Sequence, residues 1–243
     1  MRGKDLAGRD LADAVWPSVR PDALVLVPVG STEQHGPHLP LSTDTVIAQA
    51  VAERTADALP VGPPLVAPAI AYGASGEHAD FPGTVSMGHD ALRIVIIEAV
   101  RSLSLWAGRV VFVNGHGGNT VALDAAVGRL RAEGHDVAWI GCGVPYGDAH
   151  AGFTETSVML HLAPDLVVRS GAVAGNTRPL AELMPELVAH GVRAVSPSGV
   201  LGDPAGASAE EGREIVRAMT ASIVRRVGAG LVDSRGRLLD PGR

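Results

Sequence analysis

At 243 residues, 46% hydrophobic and 19% charged, the chain has the size and apolar content of one globular domain with a sizeable core. Twenty basic against 26 acidic residues give a formal charge of −6 with no basic block, and aromatics make up only 3%, which argues against nucleic-acid binding. Cys142 is the only cysteine, so an intrachain disulfide and a thiolate zinc cluster are excluded, and any metal must be held by histidines and carboxylates. No apolar run is long enough to span a bilayer and "MRGKDLAGRD" is too polar for a signal peptide, so a cytoplasmic protein without membrane contact is expected.

In chain order, "ALVLVPVG" (23–30) reads as a buried strand bounded by glycine. "DTVIAQAVAERTADAL" (44–59) has helical spacing, with Ser42 or Thr43 placed to cap it. A second strand is expected in "LVAPAIAYG" (65–73), then a helix in "DALRIVIIEAVRSLSLWAG" (90–108). "RVVFVNG" (109–115) and "DVAWIGCG" (136–143) are further strands, separated by the helical "NTVALDAAVGRLRAEG" (119–134), which ends at glycine. "TETSVMLHL" and "SAEEGREIVRAMTASIVRRVGAG" (208–230) complete the helices. This alternation predicts an α/β fold, a single domain over 1–243 with a mainly parallel sheet flanked by helices. Such sheets bind ligands outside the carboxyl ends of their strands.

The four strands run into "GSTEQHGPH", "GASGEHADFPGT", "NGHGGN" and "GVPYGDAHAGFTETS". In a parallel sheet these loops share one edge, so His35, His78, His116 and His150 are expected to be neighbours. Glu33 and His35 are two apart and leave an extended segment on one face. Asp44, opening the next helix, can turn back toward them, and a mixed Glu/His/Asp set suits zinc, manganese or iron better than calcium. Taken singly, each feature has a plainer explanation. Asp44 and Glu155 suit the first turn of a helix, and "NGHGGN" suits a glycine-rich turn or a phosphate cradle. Their convergence on one predicted edge is what favours a metal site. His38, beyond Gly36-Pro37, is expected to be a loop or supporting residue. His89, His135, His161 and His190 are expected at the surface or in packing, and Cys142, Trp106 and Trp139 in the core.

"VPVGSTEQHGPHLPLSTD", "SGEHADFPGT", "VFVNGHGGN" and "DAHAGFTETS", in this order, resemble the creatininase family of metal-dependent amidohydrolases. The resemblance implies a creatininase-like fold, two divalent ions per subunit (zinc, iron or manganese) and a homo-oligomer, often a hexamer. It implies that Glu33 and His116 hold one ion, His35 the other, and that Asp44 bridges both. Ser75 matches a substrate-contacting position and His150 the family's catalytic histidine, here a candidate general acid and base. Creatininase proper has a ligand Glu where this chain has Gly118, so the fifth ligand comes from elsewhere, with Glu155 as the candidate, or is water. Gly117 replaces a larger residue of the creatinine pocket. Gly117 and Gly118 would open the site to a larger substrate and offer backbone N–H groups to an oxyanion.

"AGNTRPLAELMPEL" and "GVRAVSPSGVLGDPAGASAEEG" resemble the branch of the family that serves mycofactocin biosynthesis. That likeness implies a peptide substrate: hydrolysis of one amide in a modified ribosomal precursor, with release of its crosslinked C-terminal Val-Tyr unit. Two other functions compete. One is hydrolysis of a small cyclic amide or a formamide. The other is non-catalytic phosphate or nucleotide binding through "NGHGGN", which lacks the Lys and Ser/Thr of a P-loop.

Overall fold

The structure, a computed structural model, describes residues 10–60, 62, 64–145 and 147–242; the polar opening segment 1–9 lies outside them. Four strands, β1 (Ala23–Val29), β2 (Leu65–Val66), β3 (Ala107–Asn114) and β4 (Val137–Gly141), form one sheet in the order β2-β1-β3-β4. Every pairing is parallel, and Val29, Asn114 and Gly141 end their strands in register. The expected α/β architecture is therefore present. No helix among the described residues is long and apolar enough to cross a membrane.

Near-continuous apolar runs make these strands, because both sheet faces are covered. Val25, Val27, Val110, Phe112 and Trp139 point to one face, packed by α2 (Gly88–Leu103) and α3 (Thr120–Ala132). Leu26, Val111, Val113, Ala138 and Ile140 point to the other, under α1 (Thr43–Ala58), α4 (Phe153–Leu162) and α6 (Ala209–Ala229). Phe112 and Leu26 are fully buried, and each such side chain contributes about 1.5–3 kcal/mol of transfer free energy.

Three boundaries differ from expectation. β2 stops at Val66, and the chain returns to the sheet only at an isolated Val29–Ile70 bridge. Pro68, which has no N–H to give to a ladder, lies between them. α2 ends at Leu103, and β3 already begins at Ala107. A further helix, α5 (Leu180–Val195), was not expected, since Pro185 and Gly191 interrupt its pattern; Gly191 has φ +76°, which kinks it. Its Leu183, Leu187, Val192 and Val195 bury against Leu201 and Phe81.

The start of α1 closes tightly on the strand ends. A Cβ on Gly30 or Gly115 would collide with the backbone of Thr45 or Asp44, so glycine after β1 and after β3 lets Asp44 approach the sheet edge. Ser42 gives no side-chain cap; Thr43 is the first helical residue and donates its hydroxyl to the Pro40 carbonyl.

Candidate metal centre

The loops after all four strands meet at one edge, as the topology requires. "NGHGGN" owes its shape to its two asparagines. The Asn119 amide donates to the Gly30 carbonyl and to Asn114 Oδ1, and its oxygen accepts from the Ala74 N–H. Asn114 in turn donates to the His116 carbonyl at 2.6 Å. The ends of β1 and β3 and the loop before α2 are thus tied together behind His116.

Glu33 is completely buried, yet neither carboxylate oxygen has a hydrogen-bond partner among the described residues. Oε1 faces His78 Nε2 at 3.3 Å and His150 Nδ1 at 3.8 Å, and Oε2 faces His116 Nε2 at 3.2 Å. Asp44 Oδ1 lies 3.1 Å from His35 Nε2, while Oδ2, also without a hydrogen bond, lies 3.4 Å from His116 Nδ1. Glu155 Oε2 accepts from the Ala151 N–H at 2.6 Å and lies 3.8 Å from His35 Nε2. Glu155 is therefore both the first-turn acid of α4 and a member of the cluster.

The hydrogen bonds assign the ring tautomers. His35 Nδ1–H donates to the Glu33 carbonyl at 3.1 Å, which leaves Nε2 aimed at Asp44 and Glu155. His116 Nε2–H donates to the Ala74 carbonyl at 3.2 Å, which leaves Nδ1 toward Asp44. A histidine whose second nitrogen is anchored on a carbonyl is a prepared metal ligand. The Gln34 amide donates to His78 Nδ1 at 2.8 Å and to the Gly199 carbonyl at 3.1 Å. Both its protons are then used, so His150 Nε2–H donates to the Gln34 carbonyl at 2.9 Å and His150 Nδ1 keeps a free lone pair.

The residues fit cations. Three ligand sets have atoms within 4.8 Å of one another: Glu33, Asp44 and His116; His35, Asp44 and Glu155; and Glu33, His35 and His150. Buried carboxylate oxygens without donors carry a desolvation cost that an ion would offset. Charge in the ion-free cluster is displaced accordingly. Burial alone would lower the His35 pKa, but Asp44, Glu155 and Glu33 overcome it and push it up to about 10. His116 is raised well above the ordinary range against its burial, chiefly by Glu33. Burial acts to raise Glu33, yet His116, His78 and His35 hold it well below the usual carboxylate range. Glu155 moves the other way, up to about 7, through burial and the nearby Asp44 and Glu33 charges. His150 is pushed well down by burial, then by His35 and His78, and is neutral at pH 7.

A cavity of about 860 Å³ opens onto the cluster, lined by Asp44, His116, His150, Glu155, Gly117 and Gly118 among others. Its outer wall is apolar: Leu180, Met184 and Val188 on α5 and Val121 on α3 are exposed and face it.

Ser75 is fully buried, accepts from the Ser31 hydroxyl at 2.9 Å and is not among the residues lining the cavity. His38 is buried against Thr156 Oγ1 at 2.8 Å, in keeping with a supporting residue. Cys142 packs, partly buried, against the core cluster under α1 and α4 and also lines the cavity, with its thiol pushed up to about 12 by burial and by Asp44 and so kept unreactive. His78 and Gln34 had no assigned role in the sequence, although "GEH" and "TEQH" carry them. His78 came to notice only as one of four histidines at the edge.

The creatininase family (creatinine amidohydrolase) matches the chain over residues 12–227. The chain belongs to the creatininase family. One relative, the mycofactocin precursor peptide peptidase of Mycolicibacterium smegmatis, is 56% identical over 220 residues, covering 88% of each chain. A solved creatininase containing Mn superposes with a TM-score of 0.72 at 27% identity, covering 88% of this chain and 95% of that one. A mutant creatininase of Zn-Zn type gives 0.71 at 26%, covering 91% and 96%. These creatininase relatives are named for their metals, in keeping with the buried donor clusters of this family member.

Proposed function

We propose that this chain is a dinuclear-metal peptidase of the mycofactocin system. It would hydrolyse one amide of the modified precursor peptide and release the crosslinked C-terminal Val-Tyr unit. The observation that carries this reading is 56% identity over 88% of both chains to a mycofactocin precursor peptide peptidase, against 26–27% to the solved creatininases. The roomy, apolar-walled cavity supports it, since it exceeds what a small cyclic amide fills.

In this proposal Glu33, Asp44 and His116 would hold one divalent ion, zinc, iron or manganese, and His35, Asp44 and Glu155 the other. When bound, such ions would acidify a water and polarise the scissile carbonyl. His150 does the proton work. Its Nε2–H is fixed on the Gln34 carbonyl, so the Nδ1 lone pair facing the cluster accepts a proton from the attacking water. The same nitrogen then returns that proton to the departing amide nitrogen, which is a poor leaving group until protonated. The depressed pKa keeps His150 ready as a base at neutral pH. Backbone N–H groups of Gly117 and Gly118, in the turn Gly117–Asn119 that leads into α3, stabilise the oxyanion. Ser75 lies behind the wall and supports it through Ser31. A homo-oligomer acting in the cytoplasm belongs to the same proposal.

The test is mass spectrometry of crosslinked precursor peptide before and after metal-replete enzyme, with creatinine and a formamide-bearing pyrimidine as parallel substrates. Loss of the C-terminal unit from the peptide is the expected result. An intact peptide beside a consumed small amide would replace this reading with the small-amide one.

A further inference from the structure

One carboxylate at the cluster belongs to no ligand set above. Glu77 sits in the single turn Gly76–His78, its side chain one-third exposed (33%) and lining the cavity. Its Oε1 lies 3.4 Å from His116 Nε2, the nitrogen whose proton goes to the Ala74 carbonyl. That nitrogen therefore has three oxygens around it: Ala74 O, Glu33 Oε2 and Glu77 Oε1. Glu33 is needed elsewhere, because both its oxygens are buried without hydrogen bonds and face the cluster.

Residue 118 decides whether Glu77 can be there. A Cβ at Gly118 would stand 2.6 Å from Glu77 Oε1 and closer still to His116 Nε2 and the Ala74 carbonyl. The Glu77 carboxylate and any side chain at 118 would compete for one volume. Glycine leaves that volume to Glu77.

We propose that Glu77 is a positioning residue for the metal centre: filling the space left by Gly118, it shares the His116 Nε2–H with the Ala74 carbonyl and fixes His116 with Nδ1 toward Asp44. This rests on the dinuclear reading above. A carboxylate on the outer nitrogen of a ligand histidine orients the ring and raises its basicity, and its loss costs about 10–100-fold in metal affinity.

Titration of apoprotein with zinc(II) by calorimetry, and with cobalt(II) by visible absorption, tests it without any turnover. Wild-type protein should take up two ions, and uptake of none would sink the dinuclear reading itself. In Glu77→Gln both ions should still bind at saturation, one of them about 10–100-fold more weakly and with altered cobalt bands. Gly118→Ala should weaken the same ion by crowding Glu77 and His116. Affinity and cobalt bands unchanged in Glu77→Gln would overturn the proposal. Outright loss of one ion would also overturn it, because Glu77 would then be a direct ligand.

Discussion

The donor cluster has two sides, built differently. Glu33, His35, Asp44 and His116 come from the ends of β1 and β3 and the start of α1, and none is more than 6% exposed. They are braced by Asn114 and Asn119 and by glycines that admit no side chain. His150 and Glu155 come from the segment after β4, where the Glu155 side chain is 20% exposed. That segment is held by Asp148, which accepts from the N–H groups of Phe153 and Thr154, and by a bridge from His150 to Leu201. It also contains Ala151 at φ +52°, a backbone state that non-glycine residues rarely adopt. The strand-end side is rigid and charged, suited to fixing ions. The loop side holds a carboxyl shifted up to about 7, which must give up its proton to act as a ligand beside His35, and a neutral histidine suited to exchanging protons.

The largest effect should come from Asp44, the residue shared by the two proposed ion sites. Asp44→Asn is expected to lose bound metal at both positions and all measurable peptide cleavage, read by metal analysis alongside mass spectrometry. Retention of both would remove the dinuclear centre. Next is His150→Ala, where metal content should stay at the wild-type level while turnover falls ~10² to 10⁴-fold. His150 also lies within ligand reach of Glu33 and His35, so loss of an ion in that variant would make it a ligand instead. Smaller again is Glu155→Gln. It should weaken the ion beside His35 and leave the one at Glu33 and His116 in place; equal loss of both would erase the proposed division between the sides.

The same contrast explains what the sequence disclosed. β1, β3 and β4 are apolar runs closed by glycine or asparagine, and the spacing of Glu33 and His35 is a local consequence of extended backbone. Asp44, His116 and His150 followed from topology, because parallel strands deliver their C-terminal loops to one edge. Local pattern could not reach the contacts set by closure across the chain. Gln34, which ties His78 and His150 together, looks like any polar loop residue until Gly199 arrives from 165 residues away. Glu77 depends on a side chain that Gly118 does not have. The apolar face of α5 was hidden by Pro185 and Gly191, and the early end of β2 by a proline inside an otherwise strand-like run.

The smallest effect is a pH dependence that separates the sides in the ion-free protein. Glu155, raised from 4.5 to about 7, holds its proton more tightly folded than unfolded. Between those values the folded state binds more protons, so the stability this group contributes is lost as pH rises through that window. His35, raised from 6.5 to about 10, contributes stability that is full below 6.5 and is lost as pH climbs through 10. Both act in one direction. His150 and His78, held below the ordinary range by burial, act in the opposite direction below about 6.5, so the Glu155 contribution is read as a difference: the melting temperature of chelator-treated wild type relative to Glu155→Gln should fall as pH rises from 5 to 7. Zinc should abolish the trend, since an ion replaces the protons that Glu155 and His35 hold. A difference between wild type and Glu155→Gln that stayed flat from pH 5 to 7 would mean that the loop side does not store a proton, and the contrast between the two sides would fail there.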